Sequence, residues 1–243
     1  MMDLWVPLAL AVIAFLYASV GHGGASGYLA VLAFLGMAPA QMRPTALVLN
    51  LIVSAIAFVQ FARAGHFRWS TFWPFALSSV PCAWIGARVE LDPIVYKRLL
   101  AVCLLFAVGR MLSVFDGASA QATRPAPLPL ALLIGGVLGL VSGMIGIGGG
   151  ILLSPLLLLC HWSTAKEGAA VSAAFIFVNS VAGLLGVEGN AFSVIGGNVP
   201  WIAAALLGGV LGGYVGAERF SQLRLRQVLG GVLFFASIKL FFA

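Results

Sequence analysis

Long uncharged stretches of mostly apolar residues run through this chain, separated by short clusters of charged residues. The main stretches are 44–62, 69–87, 168–187 and 200–217, together with 99–115 and 227–243, which each contain a single basic residue. A helix needs about 20 apolar residues to cross the hydrocarbon core of a bilayer, and these stretches are close to that length. They lack the short alternating segments of a β-barrel. The pattern therefore predicts an all-α, polytopic bundle of transmembrane helices.

Composition and charge support a membrane protein and exclude most soluble classes. Hydrophobic residues make up 62% of the 243 residues and charged residues only 8%, against about 25% in a soluble domain. A water-soluble enzyme or nucleic-acid binder of this size would need far more surface charge. The net charge of +6 is explained by basic residues at helix ends, where the positive-inside rule places them. We therefore expect contact with membrane lipid and no nucleic-acid partner.

The chain contains an internal repeat with an offset of about 126 residues. The glycine-rich run at 21–25 corresponds to the run at 146–150, with one residue of slippage. The further matches, in the same order, are Ser54 with Ser180, Pro74 with Pro200, and Gly86 with Gly212. The repeat predicts two homologous halves, 1–115 and 128–243, joined by a linker at 116–127. Each half would have a glycine-broken first helix and three transmembrane helices, about eight helices in all.

Each half opens with a segment that glycines interrupt. In the first half the flanking segments are 4–20 and 28–35, and in the second they are 128–142 and 151–160, around a glycine-rich run at 143–150. Each glycine costs about 1 kcal/mol relative to alanine in a helix. Non-helical backbone at membrane depth persists only where it faces protein or a wet cavity. The runs therefore predict discontinuous helices that line a site; the alternative is close helix packing through small residues.

Two topologies fit the broken helices. Re-entrant hairpins would relate the halves by inversion, whereas simple crossings would make them parallel. Basic residues divide eight to four between the two faces in either arrangement, so charge does not decide. Both arrangements place the termini outside and Lys166 inside. They differ at Phe67, which hairpins place inside, and at Pro93, which hairpins place outside.

The residue types exclude several kinds of chemistry. The apolar stretches carry no carboxylate near a midplane, which argues against a proton relay or a carboxylate cation site. His22, His66 and His161 have no cysteine or carboxylate at ligand spacing, and Cys82, Cys103 and Cys160 fit buried packing residues. We therefore expect no metal, no cofactor and no disulfide. His22 and Ser26 lie four residues apart without a nucleophile-elbow context, so we expect no enzyme.

Backbone groups remain as candidates for binding. The second half-helix of each pair begins at its glycine break, and helix N-termini carry unpaired N–H groups with about half a positive charge. Two such ends meeting near the centre would bind an anion. The predicted substrate-binding residues are His22, Gly23, Gly24, Ser26 and Asn50 in the first half, and Gly148, Gly149, Gly150, Asn179 and Ser180 in the second.

Three of these residue types have alternative roles, and for the asparagines and Ser180 the alternative is hydrogen bonding between helices. His22 either donates to the anion or is a neutral histidine bonded to a carbonyl of the broken helix. Ser26 is either an N-cap or a direct ligand. Asn50 and Asn179 can each donate two hydrogen bonds to an oxyanion, although the repeat does not align them with each other.

The second glycine run reads Gly-Met-Ile-Gly-Ile-Gly-Gly-Gly (143–150) and precedes an apolar Leu/Pro run. With its degenerate copy at 21–27 and the motif Val-Asn-Ser-Val-Ala-Gly (178–183), it resembles the TauE/SafE sulfite exporter family over essentially the whole chain. This resemblance implies a multi-pass permease of the bacterial inner membrane. Its substrate would be a small anion such as sulfite or an organosulfonate, commonly moved outward, and a homodimer is compatible with it. The alternative is a non-transporting membrane subunit or scaffold whose glycines pack helices.

Overall fold

The computed structural model of the chain describes residues 5–112, 123–187 and 199–218, together with Phe234. The helices of these three ranges are α1 (Trp5–Ala18), α2 (Ala25–Phe34), α3 (Pro39–Arg63), α4 (Trp69–Arg88), α5 (Pro93–Leu112), α6 (Leu128–Ile145), α7 (Gly150–Leu159), α8 (Ala165–Gly186) and α9 (Val199–Glu218). No strand occurs among the described residues. Four of the helices, α3, α6, α8 and α9, are long and apolar enough to cross a membrane. These findings confirm the predicted all-helical, polytopic fold class.

The predicted count of helices can be followed through most of the chain. If α1 with α2 and α6 with α7 each count as one broken helix, the described ranges contain seven of the predicted eight. The eighth, at 227–243, lies outside the described residues apart from Phe234, as does most of the linker at 116–127. The division into two homologous halves at these boundaries stays a prediction. The three cysteines are free and half-buried, less buried than expected.

Helices α3 and α8 pack against each other in the centre of the bundle and run antiparallel. Near the start of α3, Leu47 lies against Gly183, close to the end of α8. Near the other end of α3, Phe61 clusters with Ala170, close to the start of α8. Contacts that pair the beginning of one helix with the end of the other require opposite directions. The centre of each helix therefore lies at the same depth as the centre of its partner.

Two parallel helix pairs flank this centre, and glycines at every fourth position allow their backbones to approach. A Cβ at any of these glycines would overlap a backbone oxygen of the partner helix. On α6 against α4 the contacts are Gly135 with Phe75, Gly139 with Ser79 and Gly143 with Ala83; on α9 against α1 they are Gly208 with Ala11, Gly212 with Phe15 and Gly216 with Ser19. This is the small-residue packing typical of membrane helices. Gly143 belongs to this seam.

Both glycine breaks turn the chain back on itself. In the first, Gly27 of α2 lies against Ile13, and the Tyr17 hydroxyl is 2.6 Å from the Ser26 hydroxyl, so α1 and α2 form an antiparallel hairpin. In the second, Gly149 returns to within contact of Ser142 after α6 has ended at Ile145. These contacts are those expected of hairpins, whereas the position of the hairpins in a membrane stays a prediction.

The breaks are shorter than the sequence predicted. The second comprises 146–149, because α6 continues to Ile145, and the first comprises 19–24, because α2 already begins at Ala25. Positive φ angles occur at Gly21 (76°), Gly24 (96°), Gly146 (88°), Gly148 (73°) and Gly149 (74°). A left-handed backbone costs an L-residue about 1–2 kcal/mol. Glycine is therefore required by the turn geometry itself, apart from any role in binding.

Candidate functional site

The N-termini of α2 and α7 meet on either side of the Asn50 side chain. Gly24 and Gly149 are the two N-caps, and as glycines they provide no side-chain cap. Asn50 Oδ1 accepts a hydrogen bond of 3.2 Å from the N–H of Ala25, the first residue of α2. Asn50 Nδ2 lies against Gly148, next to the start of α7, where a Cβ would overlap it. One carboxamide thus bridges the two breaks.

The Asn50 carboxamide is fixed at both ends and fully buried. Its Nδ2 donates a hydrogen bond of 3.1 Å to Ser180 Oγ on α8, and the residue is 0% exposed. A Cβ at Gly23 would overlap Oδ1, so glycines border the amide on two sides. A carbonyl oxygen at the N-terminus of a helix occupies the position that an anion occupies in many helix-terminus sites. Asn50 is therefore a neutral acceptor in an anion position.

Three buried polar groups, two of them beside the N-caps, have no hydrogen-bond partner among the described residues. They are Tyr28 Oη, Ser142 Oγ and Asn179 Nδ2, and all three residues are 0% exposed. The Tyr28 hydroxyl lies over Gly24, 2.9 Å from the position of a Cβ there, and Ser142 lies beside Gly149. An unpartnered buried polar group costs about 1–3 kcal/mol. Donors placed beside both helix N-termini are what a bound anion would use.

Tyr28 and Ser142 were not among the predicted site residues. Tyr28 lies one turn after the N-cap of α2, and Ser142 lies one turn before the second break. The signal was present, because each is a hydroxyl residue within a turn of a glycine run. In an apolar helix such hydroxyls usually bond within their own helix or to a neighbour, so the sequence does not distinguish these two.

Asn179 does not face Asn50. Its Oδ1 accepts a hydrogen bond of 2.9 Å from Ser79 Oγ on α4. On α8, Asn179 lies one turn beyond Phe175, and the Phe175 ring contacts Gly149. This face of α8 therefore lies toward the second hairpin and α4. The two asparagines predicted as one pair of ligands thus lie on different sides of α8. Ser180, the next residue, is the one that reaches Asn50.

His22 connects the first break to the second half of the site. Its Nδ1 lies 2.9 Å from the Val20 carbonyl, the contact of the carbonyl-bonded alternative. Its Nε2 lies 3.1 Å from Ser154 Oγ on α7, which is 2.6 Å from Ser172 Oγ on α8. Because a carbonyl only accepts, the Nδ1 bonded to Val20 carries a proton, and the Ser154 hydroxyl donates its own proton to Ser172 Oγ. The ring is half-buried.

Ser26 is not an N-cap, contrary to one of its two predicted roles. Helix α2 begins at Ala25 with Gly24 as its N-cap, which places Ser26 inside the first turn. Its hydroxyl instead pairs with Tyr17 of α1 and ties the two arms of the hairpin together. Gly150, the first residue of α7, packs against Ile176 so closely that a Cβ would overlap the isoleucine side chain.

The buried polar residues that are described are all uncharged. They are Ser19, Ser26, Thr45, Asn50, Ser54, Ser79, Ser142, Ser154, Ser163, Ser172, Asn179 and Ser180. Within the described ranges no group of three His, Cys, Asp or Glu side chains could hold a metal. Two helix N-termini surrounded by neutral donors favour a negative ligand, since each terminus carries a partial positive charge.

Half-helices whose N-termini meet inside an apolar bundle are typical of membrane transporters, and the comparisons with known proteins agree. Residues 6–240 match the model of the family described as Sulfite exporter TauE/SafE, so the chain belongs to this family. It is also 38% identical over 237 residues to the Probable membrane transporter protein y4hK of Sinorhizobium fredii (strain NBRC 101917 / NGR234), and the match covers 96% of each chain. No solved structure matches the chain. The predicted family is confirmed.

Proposed function

We propose that this protein is a multi-pass permease of the bacterial inner membrane, not an enzyme, that exports a small oxyanion such as sulfite or an organosulfonate. The anion binds between the N-termini of α2 and α7. The observation that carries the proposal is the Asn50 carboxamide, whose Oδ1 accepts the N–H of Ala25 while its Nδ2 borders Gly148. The description of the family as sulfite exporters supports this substrate class.

Asn50 exchanges with the anion during binding. A hydrogen bond to a neutral carbonyl contributes about 0.5–1.5 kcal/mol net, whereas one to a charged group contributes about 1.5–3 kcal/mol. An incoming oxyanion therefore displaces Oδ1 from the N–H of Ala25. The released carboxamide then turns its Nδ2 toward the anion. Tyr28 Oη and Ser142 Oγ, which lack partners among the described residues, donate to the remaining oxygens.

The membrane potential drives export. With hairpins at both breaks, positive-inside counting places the Lys166 end of the bundle in the cytoplasm and the Arg43 end outside. An inside-negative potential then favours outward movement by about 2.3 kcal/mol per charge per 100 mV. The site offers neutral donors, and no step in this scheme needs a buried carboxylate. Export is therefore facilitated and electrogenic.

Flux measured with reconstituted protein tests the proposal. Proteoliposomes containing the full chain should move labelled sulfite or methanesulfonate faster than protein-free liposomes. Asn50→Ala should lower the flux about tenfold or more, and Asn179→Ala should lower it to a smaller extent. Ser54→Ala is the matched control, because among the described residues its hydroxyl donates to the Leu51 carbonyl within α3 and to no group of the site. Unchanged flux with both asparagines replaced would remove them from the site.

A scaffold role is the second candidate, and the glycine seams between α4 and α6 and between α1 and α9 favour it. Glycines do pack helices in this protein, but the seam glycines are distinct from those of the breaks. Alanine at the seam position Gly139 should reduce the amount of assembled protein. Alanine at Gly148 and Gly149 should give protein that assembles but does not transport. Loss of assembly in the Gly148 and Gly149 variants would favour the scaffold.

A further inference from the structure

A cavity of about 690 Å³ lies at the end of the bundle where α3 begins and α4 ends. We call this end the Arg43 face. Arg43, Arg88, Glu90 and Tyr96 contribute polar groups to the cavity wall. The two arginines and one glutamate give these lining residues a formal charge of +1. The cavity is far larger than a sulfonate, so an anion can enter with part of its hydration shell.

Two side chains of the cavity wall, Arg43 and Tyr96, contact the end of α6, where the second break begins. Arg43 Nη1 donates hydrogen bonds of 3.2 Å to the Met144 carbonyl and 3.3 Å to the Val89 carbonyl. The Tyr96 hydroxyl donates a hydrogen bond of 2.8 Å to the Ile145 carbonyl. The stem of Arg43 packs on Gly146, with Cγ 2.9 Å from the position of a Cβ there.

The packing at Gly146 does not by itself require an arginine. At the first break, Gly21 has the corresponding position and packs against Ala169 of α8, whose Cβ is 2.5 Å from the position of a Cβ on Gly21. A single methyl group therefore suffices to cover the turn. The two helix-end carbonyls account for the hydrogen bonds that Nη1 of Arg43 donates. A guanidinium, however, has five N–H donors in a planar fork. The described hydrogen bonds of Arg43 use only Nη1.

We propose that the cavity is a second anion subsite, a vestibule on the Arg43 face, in which the Arg43 guanidinium binds the oxyanion. This inference rests on the proposed function. The guanidinium fork matches two oxygens of a sulfonate or sulfite, as it matches carboxylate and phosphate. Gly146, under Arg43, is two residues from Gly148, which borders Asn50. The anion passes between the Asn50 site and the vestibule along this short segment.

Arg88 has a different role in the same cavity. Its guanidinium stacks on the Trp84 ring, with Cζ 3.8 Å from the ring centroid, and the residue is exposed. An exposed charge contributes little to a fixed contact. Arg88 is therefore a matched control, because it carries the same charge in the same cavity without touching the break.

The test measures the KM for labelled methanesulfonate in vesicles of a single orientation, with the anion presented at either face. Arg43→Gln should raise the KM at the Arg43 face about tenfold or more, the loss expected for a charge-assisted hydrogen bond. At the opposite face the KM should change less than about threefold. Arg43→Lys should retain part of the affinity, and Arg88→Gln should change the KM less than about threefold.

A chemical rescue keeps the test independent of folding. In a background with Cys82, Cys103 and Cys160 replaced by serine, Arg43→Cys is assembled first and then modified in the vesicle. A thiol reagent that adds an ethylammonium group should restore the low KM, whereas one that adds a neutral methyl group should not. Equal KM values after the two modifications overturn the proposal and leave Arg43 as a cap of helix ends.

The failure of this inference differs from the failure of the proposed function. If the unmodified protein moves neither sulfite nor methanesulfonate, the proposed function fails and the vestibule fails with it. If the unmodified protein transports and Arg43→Gln lowers only the maximal rate with an unchanged KM, only the vestibule is overturned.

Discussion

Alanine at Gly148 places a methyl group inside the site between the two helix N-termini. Its Cβ would overlap Nδ2 of Asn50 and lie 2.8 Å from Cγ2 of Ile176. A methyl group, unlike an anion, offers no hydrogen bonds to replace those of Asn50 with Ala25 and Ser180 that are broken when the carboxamide moves aside. We therefore expect Gly148→Ala to displace the carboxamide and to lower transport about tenfold or more, while the protein still assembles.

The structure provides controls that separate backbone strain from this overlap. Alanine at the φ of 73° of Gly148 costs about 1–2 kcal/mol, and overpacking adds about 1–3 kcal/mol. Gly65 has a φ of 79° with nothing within 4 Å of a Cβ, so Gly65→Ala should cost only about 1–2 kcal/mol. At Gly23 a Cβ would overlap Oδ1 of Asn50 without a positive φ, so Gly23→Ala should cost about 1–3 kcal/mol.

Two measurements on each variant separate the effect of the overlap from that of backbone strain. They are the free energy of unfolding in detergent and the flux into proteoliposomes. Gly148→Ala and Gly23→Ala should both lose transport, whereas Gly65→Ala should stay within about twofold of the unmodified protein. Adding Asn50→Ala to Gly148→Ala removes the overlapping group, so the double variant should be less destabilised than the sum of the single changes, as expected for residues in contact. Full transport by Gly148→Ala, or equal destabilisation by Gly65→Ala, would refute this reasoning.

Three further outcomes follow from the same contacts. His22→Gln should leave transport electrogenic but flatten its dependence on pH, because histidine is the side chain whose unperturbed charge change falls between pH 5 and 8; flux at pH 6 and pH 8 measures this, and loss of a pH-driven component would make His22 the coupling group. Single cysteines at Ala64 and Asp92, in a background without native thiols, should react with an impermeant reagent from inside and outside respectively; the reverse would contradict the hairpins. Thr164→Ala removes a capping box with Glu167 and should lower the free energy of unfolding by about 0.5–2 kcal/mol, whereas an altered KM would imply a role in transport.

Much of the helical framework could be predicted from charge spacing. The predicted stretches 44–62, 69–87 and 168–187 lie within one residue of, or inside, the helices Pro39–Arg63, Trp69–Arg88 and Ala165–Gly186. Charged residues stay in water and therefore mark the two ends of each stretch. The thickness of the bilayer fixes the number of residues between them. The glycine runs predicted the breaks for an equally local reason, since only glycine adopts positive φ without cost.

The contacts that make the site could not be predicted in the same way. Asn50 and Asn179 both lie in apolar helices, and only the packing of α3 on α8 directs one toward the breaks and the other toward Ser79. Arg43 resembled a basic residue at a helix end, and its partner carbonyl at Met144 is 101 residues away. Gly143 seemed part of a break because its role depends on the backbone of α4 beside it. Each of these depends on neighbours distant in sequence.

Potential-driven flux of labelled methanesulfonate into proteoliposomes tests the central claim, anion transport through the site between α2 and α7, most directly. A potassium gradient with valinomycin sets an inside-positive potential of known size, at equal pH on both sides. For a monovalent anion, 100 mV is worth about 2.3 kcal/mol, or a concentration ratio of roughly fifty. The account predicts accumulation approaching that ratio, rising with the potential and abolished by Gly148→Ala. Accumulation that ignores the potential and follows a pH gradient, or flux no greater than that of protein-free liposomes, would contradict it.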